Sequence, residues 1–322
     1  MAAHVVAVID DFQQKSLDTI AQCLPKDWVL RITASNSAGD VQSAMAQADI
    51  VFLMGKAVTA PMVQASQKLR FIQKLGAGVD NIDLQACKSQ GVVVAKLHGG
   101  NAVPVAEHTL LMTLATLRRL PQLDRDTRAG LWVRERARTV SRQLSGKTVG
   151  IVGFGAIGRA YARLLRGFDA KVNYFDIVHA PPALCRELNA TYTDFDTLLS
   201  SSDIISVHTP LTEATRHRFG AREFALMKPS AVFINCARGG IVDEAALLEA
   251  LKRNAIHGAG IDVFAQEPTP VSTAFFTLDN CVVTPHTAGG TVDNFEYVVR
   301  RAIANVQRLD QGQALPEGDR VV

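Results

Sequence analysis

The stretch Lys147 to Asp176, KTVGIVGFGAIGRAYARLLRGFDAKVNYFD, constrains this chain more than any other. Thr148 to Val152 is a short apolar, β-branched run, the pattern of a fully buried strand. It leads directly into Gly153-Phe154-Gly155-Ala156-Ile157-Gly158, which opens a helical stretch from Arg159 to Arg166. A second apolar run, Val172 to Phe175, ends on Asp176. In such a unit Gly153 permits the tight turn, Gly155 lets backbone N–H groups approach a pyrophosphate, and Gly158 lets the helix pack closely on the strand. The helix start carries unpaired N–H groups and a partial positive charge, so an anion belongs there. A lone GxGxxG is weak evidence, because glycine turns are common. Here strand, turn, helix, strand and terminal acid occur in order, and a dinucleotide site is the expected reading. A carboxylate at Asp176 suits the adenine ribose hydroxyls and repels a 2′-phosphate. No Arg follows it in Ile177-Val178-His179-Ala180, so NAD is favoured over NADP.

At 322 residues the chain is long for one hydrophobic core, and two domains are expected. With 48% hydrophobic and 20% charged residues and a net charge of +3, it has the composition of an ordinary globular protein. Its densest basic patch, four Arg between Arg134 and Arg142, reads as a solvated interdomain or subunit face rather than a nucleic-acid surface. Cys23, Cys87, Cys185, Cys236 and Cys281 are scattered, without CxxC spacing; reduced thiols in a cytoplasmic protein are expected, with no zinc site. The N-terminal residues MAAHVVAVIDD lack a basic leader, and no run approaches a membrane span.

Five strand-like runs come first, His4 to Asp10, Val29 to Thr33, Ile50 to Met54, Leu69 to Leu75 and Gly91 to Lys96. Helix-like segments alternate with them, which argues for a parallel sheet covered by helices. No GxGxxG follows the first strand, so this unit is not expected to bind the cofactor. Gly99-Gly100 then interrupts the pattern, and Asn101 is placed to cap a long helix from Ala102 to about Leu120. Arg118 to Ser145 is polar and without strong period, a surface excursion or an arm across a neighbouring subunit. Six further strands are expected at Val149 to Val152, Val172 to Phe175, Asp203 to Val207, Ala231 to Asn235, His257 to Ile261 and Cys281 to Val283. Apolar spacing predicts a last helix from Val292 to Leu309 that returns to the first domain. The expected fold is α/β, two doubly wound parallel-sheet domains. A Rossmann NAD-binding domain, residues 99–290, is inserted into a flavodoxin-like substrate domain made of residues 1–98 and 291–322.

In open parallel sheets ligands bind outside the carboxyl ends of the strands. Past the ends of the second set stand Gly153, Asp176, His208-Thr209-Pro210, Cys236-Ala237-Arg238-Gly239-Gly240, Asp262 and Pro285-His286, followed by Ala288 and Gly289. Three of the nearby residues are suited to chemistry. Arg238 offers a planar fork for a carboxylate, with two glycines that expose it. Glu267 precedes Pro268 and can orient the ring of His286, fitting that imidazole to give and take a proton near neutral pH. Reduction of a carbonyl by NADH needs one proton for the forming alkoxide, and His286 is the candidate donor. His4, His108, His179, His217 and His257 show no partner pattern, whereas His98 lies near the inferred hinge, where a role stays open.

These residues resemble a known family. GFGAIG with Asp176, VHTPLT at Val207 to Thr212, NCARGG at Asn235 to Gly240, GIDVFAQEP at Gly260 to Pro268 and TPHTAGG at Thr284 to Gly290 look like the D-isomer-specific 2-hydroxyacid dehydrogenases. The similarity extends to KLGAGVDNID at Lys74 to Asp83 and GGNAVPVAEH at Gly99 to His108. The resemblance implies that Arg238 binds the carboxylate and carbonyl of a 2-oxo acid, that Glu267 pairs with His286, and that His286 is the acid/base. It implies substrate contacts from the N–H groups of Ala77 and Gly78 and from Asn101, NAD contacts from Ile157, Asp176, Thr209, Cys236 and Asp262, and a homodimer formed through the cofactor domains. Phosphoglycerate dehydrogenases, which are similar, carry an RSATKVT-like segment where this chain reads Phe52-Leu53-Met54-Gly55-Lys56-Ala57-Val58-Thr59, without Arg. The chain also runs to Val322 without a further domain, so an unphosphorylated substrate is expected, with Lys56 the one residue that favours a phosphate. The same scaffold also serves NAD-sensing corepressors and dehydrogenases of formate or phosphite.

Overall fold

A computed structural model describes residues 3–322. The chain divides into two compact units, one of Met1–Asn101 with Gly290–Val322, the other of Ala102–Gly289.

The first unit holds β1 (Val5–Val8), β2 (Val29–Ile32), β3 (Ile50–Leu53), β4 (Phe71–Lys74) and β5 (Val93–Ala95), in the order β2-β1-β3-β4-β5. All four pairings are parallel; Val6, for example, lies between Leu30 and Ile50. This is the flavodoxin-like order. Side chains alternate between two apolar layers: Ile50 and Phe52 enter one, Val51 and Leu53 the other. That is why the central strands read as unbroken apolar runs. Helix Val292–Asp310 adds Val298, Val299, Ala302, Ile303 and Val306 to the first of these layers. Each of these Val and Ile side chains contributes about 1.5–3 kcal/mol when fully buried.

The second unit carries β6 (Thr148–Val152), β7 (Lys171–Phe175), β8 (Ala190–Tyr192), β9 (Ile204–Val207), β10 (Val232–Asn235), β11 (Gly258–Ile261) and β12 (Cys281–Val283). They form one parallel sheet in the order β12-β11-β10-β9-β6-β7-β8, the doubly wound Rossmann order with a seventh strand. The sheet therefore has one strand more than the six expected. β8 is a three-residue edge strand, Ala-Thr-Tyr, with only Ala190 buried, so no apolar run announces it. Helix Ala102–Arg118 packs along β10, β11 and helix Ala156–Leu165, where Thr113 Oγ1 meets Tyr161 Oη at 2.9 Å.

One local expectation is corrected. Asn101 does not cap its helix; its Oδ1 is buried and lacks a hydrogen-bond partner among the described residues. The polar segment after Arg118 is mostly helical, with helices Leu120–Arg128 and Arg134–Val140 separated from the long helix by Arg119 at φ 55°. The first of these buries only Asp126 and the second nothing, so neither shows an apolar stripe. Ion pairs one turn apart, Arg128–Asp124 at 2.9 Å and Arg138–Glu135 at 3.0 Å, support them instead. No described helix is long and apolar enough to cross a membrane.

One buried carboxylate ties the first unit's crossover segments together. Asp319, fully buried, accepts from His98 N–H (2.8 Å), through both oxygens from Arg301 Nη2 (3.1 and 3.0 Å) and from Asn305 Nδ2 (3.1 Å). Removing it strands Arg301 and a buried amide. Asp319→Ala is expected to destabilise the protein by about 3 kcal/mol in urea unfolding, and Asp319→Asn by less. An unchanged midpoint for Asp319→Ala would refute this account.

Candidate active site

The strands of the second unit are parallel, so the loops after them emerge at one edge of the sheet. Gly153 follows β6, Asp176 β7, His208 β9, Cys236 β10, Asp262 β11 and Thr284 β12.

The glycine turn comes first. Gly153 has φ +95°, and a Cβ there would sit 2.7 Å from the His208 carbonyl carbon, so only glycine fits beside the β9 loop. At Gly158 a Cβ would lie 2.3 Å from the Gly153 carbonyl oxygen, which lets the helix start hard against the turn. Gly155 differs: nothing lies within 4 Å of its Cβ position. It is exposed, and no side chain caps helix Ala156–Leu165 among the described residues. The N–H groups at Ala156 and Ile157 thus stand uncapped by any described side chain at the positive end of a helix, a fit for a pyrophosphate. Asp176 closes the unit, accepting from Phe154 N–H (2.6 Å) and Val178 N–H (3.0 Å).

His208, Thr209 and Pro210 lie beside this turn, because β9 neighbours β6. His208 Nε2 meets Ser206 Oγ at 2.8 Å, while Nδ1 is buried without a partner among the described residues. Part of the residue stays accessible, but burial of the ring pushes its pKa down to about 3. Cys236 is also buried; burial and the Asp262 charge push its thiol up to about 12, against a weaker opposing bond to Thr109. It is a neutral wall, not a nucleophile.

The other loops carry the charged groups. Asn235, at the end of β10, accepts from Ala237 N–H (3.0 Å) through Oδ1 and donates to the Arg238 carbonyl (3.0 Å) through Nδ2. Arg238 Nη1 donates to the Ala237 carbonyl at 2.7 Å. Gly239 has a different task from exposing Arg238: a Cβ there would lie 1.9 Å from the Phe264 carbonyl carbon. The arginine loop is thereby pressed onto the loop that bears Glu267.

Glu267 Oε1 accepts from Phe264 N–H (2.9 Å), and Oε2 meets His286 Nδ1 at 2.6 Å. Burial pushes the Glu267 carboxyl up, but the bonds from His286 and Phe264 and the charges of His286 and Arg238 leave it below the ordinary carboxylate value. Asp262 is fully buried; its Oδ1 accepts from Thr284 Oγ1 (2.6 Å) and Thr287 N–H (2.9 Å), its Oδ2 from Ala288 N–H (3.0 Å). His108 Nε2 stands 3.1 Å from Thr284 Oγ1 and 3.5 Å from Asp262. The His286 N–H donates to the Asp262 carbonyl at 2.7 Å, and His286 takes φ 54°.

His286 and Glu267 are thus in direct contact and Arg238 acts on Glu267 through its charge. Gly289 ends this unit, whereas Ala77, Gly78 and Asn101 belong to the first, Ala77 and Gly78 in the loop after β4. Sequence reading gave no part to Asn235, Thr284 or His108. NCARGG and TPHTAGG contain the first two, but only the fold shows what they hold. Among the described residues no three His, Cys, Asp or Glu form a metal-binding group.

His208 yields a stability test. A histidine whose pKa falls on folding binds its proton more readily when unfolded. Its contribution is complete above the unfolded value of 6.5 and is lost as pH drops toward about 3. Between pH 7 and pH 5 the wild-type protein is expected to lose about 2 kcal/mol more than a His208→Gln variant. Parallel urea titrations of the two at those pH values check this; equal losses would contradict it.

The family model for the D-isomer specific 2-hydroxyacid dehydrogenase NAD-binding domain matches residues 110–288. The chain is 36% identical to a glyoxylate reductase of Thermococcus litoralis over 83% of this chain and 82% of that protein. It is 38% identical to a D-3-phosphoglycerate dehydrogenase of Archaeoglobus fulgidus over 78% of this chain but only 48% of that protein, so it spans about half that relative's length. The solved D-lactate dehydrogenase of Escherichia coli superposes with a TM-score of 0.84, at 27% identity, over 99% of this chain and 100% of that one. The chain therefore belongs to the D-isomer-specific 2-hydroxyacid dehydrogenase family, its second unit is that family's NAD-binding domain, and NAD is its cofactor.

Proposed function

We propose that this protein interconverts a small 2-oxo acid and its D-2-hydroxy acid with NAD(H). The observation that carries the reading is the 2.6 Å contact between His286 Nδ1 and Glu267 Oε2. It commits one ring nitrogen to a carboxylate and leaves Nε2 for a substrate oxygen. Glu267 stays ionised because its pKa lies low, so it holds the ring and balances the imidazolium. When bound, NADH supplies the hydride. His286 then gives its proton to the oxygen that receives the developing charge, and takes one back in the reverse direction. Arg238 holds the substrate carboxylate through its planar fork, and Asn235 keeps the arginine loop in one shape. Ala77 and Gly78 N–H groups and Asn101 are assigned to the substrate as well, on the family pattern.

The test separates chemistry from binding. His286→Gln is expected to lower kcat for 2-oxo acid reduction by about 10²- to 10⁴-fold, with the NADH dissociation constant within about twofold of wild type. Wild-type turnover in that variant would end the assignment. Saturable NADH binding by the wild-type protein without oxidation by any of a broad 2-oxo acid panel would point instead to an NAD-sensing role.

We assign the protein a cytoplasmic location, on the cysteine pattern, and a homodimer formed through the second unit. Support for the dimer comes from the segment after Arg118, where Leu120 is 52% exposed and, between the two polar helices, Leu131 is 53% and Trp132 84% exposed. Large apolar side chains exposed together mark an interaction surface. In sedimentation velocity the wild-type chain should run as a dimer and Trp132→Glu should raise the dimer dissociation constant by at least about tenfold. A monomeric wild-type protein at micromolar concentration would refute it.

A further inference from the structure

In the first unit's sheet the order turns between β1 and β3, the switch point at which open α/β sheets bind ligands. Asp10 stands two residues past β1, and Met54, Gly55 and Lys56 follow β3. The Asp10 carboxylate accepts three consecutive backbone N–H groups. Oδ2 takes that of Met54 at 2.5 Å, and Oδ1 takes those of Gly55 at 2.6 Å and Lys56 at 2.8 Å.

The carbonyls of the same residues are held from a different loop. Lys74 Nζ donates to the Met54 carbonyl; Asn81 Nδ2 donates to those of Gly55 (3.2 Å) and Lys56 (2.6 Å). Lys74 also donates to Asn81 Oδ1 at 2.7 Å. The Lys56 ammonium is engaged by the carbonyl and Oδ1 of Asn36, at 3.2 and 3.0 Å. An exposed irregular segment normally satisfies such groups with water. Here every backbone donor and acceptor of three residues is bonded to a side chain. Converging N–H groups of this kind form an anion-binding nest, and the chain's own carboxylate fills it.

We propose that Asp10 is a positioning residue for the substrate: it presets the Met54–Lys56 segment as a rigid wall beside the Ala77–Gly78 loop. Asn81, in the latter loop, cross-links the two. The wall then offers the substituent of the substrate the Met54 thioether chain, 36% exposed, with its N–H groups already taken by Asp10 and the Lys56 ammonium drawn onto Asn36. Small uncharged substituents are favoured over phosphorylated ones. This rests on the 2-oxo acid reading above.

The experiment uses the full chain saturated with NADH, with hydroxypyruvate and its 3-phosphate as a matched pair. Asp10→Ala is expected to raise KM for hydroxypyruvate at least about tenfold and to speed amide exchange at Met54, Gly55 and Lys56, with kcat and the NADH dissociation constant within about twofold. Asp10→Asn, nearly isosteric and able to accept through one oxygen, should fall between. Unchanged KM in Asp10→Ala alongside faster exchange at those amides would overturn the positioning role while leaving the proposed function intact. A wild-type enzyme that prefers the phosphorylated partner would overturn the wall. Wild-type protein that binds NADH but reduces no 2-oxo acid would overturn the proposed function and this inference with it.

Discussion

The buried carboxylate of Asp262 is the constraint on which the second unit's site depends. An isolated charge without solvent exposure costs several kcal/mol, and it is tolerated only where hydrogen bonds satisfy it. Burial pushes the Asp262 pKa up, yet the bonds from His108, Thr284, Thr287 and Ala288 outweigh burial and leave it below the ordinary value. The charge therefore persists, and its partners must stay where they are. Three of those partners, Thr284, Thr287 and Ala288, stand on either side of His286. The histidine accepts a left-handed backbone, worth about 1–2 kcal/mol of strain for a non-glycine residue, because its N–H donates to the Asp262 carbonyl and its ring to Glu267.

A second constraint acts on the arginine. Gly239 lies so close to the Phe264 backbone that any side chain would push two loops apart. Phe264 N–H in turn donates to Glu267. The loops bearing Arg238 and Glu267 are thus registered by backbone packing, and the imidazole is registered to Glu267 by a charge-assisted bond. Long side chains that must act together are placed through short, stiff connections, which limits the error in their spacing.

Much of this was legible before any coordinates. The glycine turn with Asp176, and the residues after each strand, follow from apolar runs and punctuation alone, because a fully buried parallel strand has nothing else to display. Where legibility failed, the signal was missing for a physical reason. β8 is an edge strand of three residues with two of them exposed. The two helices after Arg118 bury almost nothing, so they carry no period. Asn101 looked like a cap by residue type, yet its oxygen is sequestered without a partner. His4 is the same kind of failure: it seemed unpartnered, but it is buried between Asp49 and Asp310, each at 2.7 Å, residues 45 and 306 positions away. Hydrogen bonds across such separations leave no local trace. The organising roles of Thr284 and Asp10 were hidden likewise, since Thr284 bonds Asp262, 22 positions away, and Asp10 a backbone 44 to 46 positions away.

The two units use one architectural feature in opposite ways. Both sheets are doubly wound and parallel, and both have a switch point where backbone N–H groups gather. After β6 the chain supplies glycine at Gly155, with open space around it and no side chain across the helix start. The N–H groups there are left for an anion from outside. After β1 it supplies Asp10, whose carboxylate occupies the corresponding donors of Met54, Gly55 and Lys56. The first switch point is then electrostatically satisfied before any ligand arrives. A phosphate brought near it meets a filled nest and an apolar thioether, with the Lys56 ammonium held on Asn36, and recovers little of the hydration it gives up. A glycine in one loop and an aspartate in the other thus divide the work between the units, one receiving a charged ligand and the other shaping itself without one.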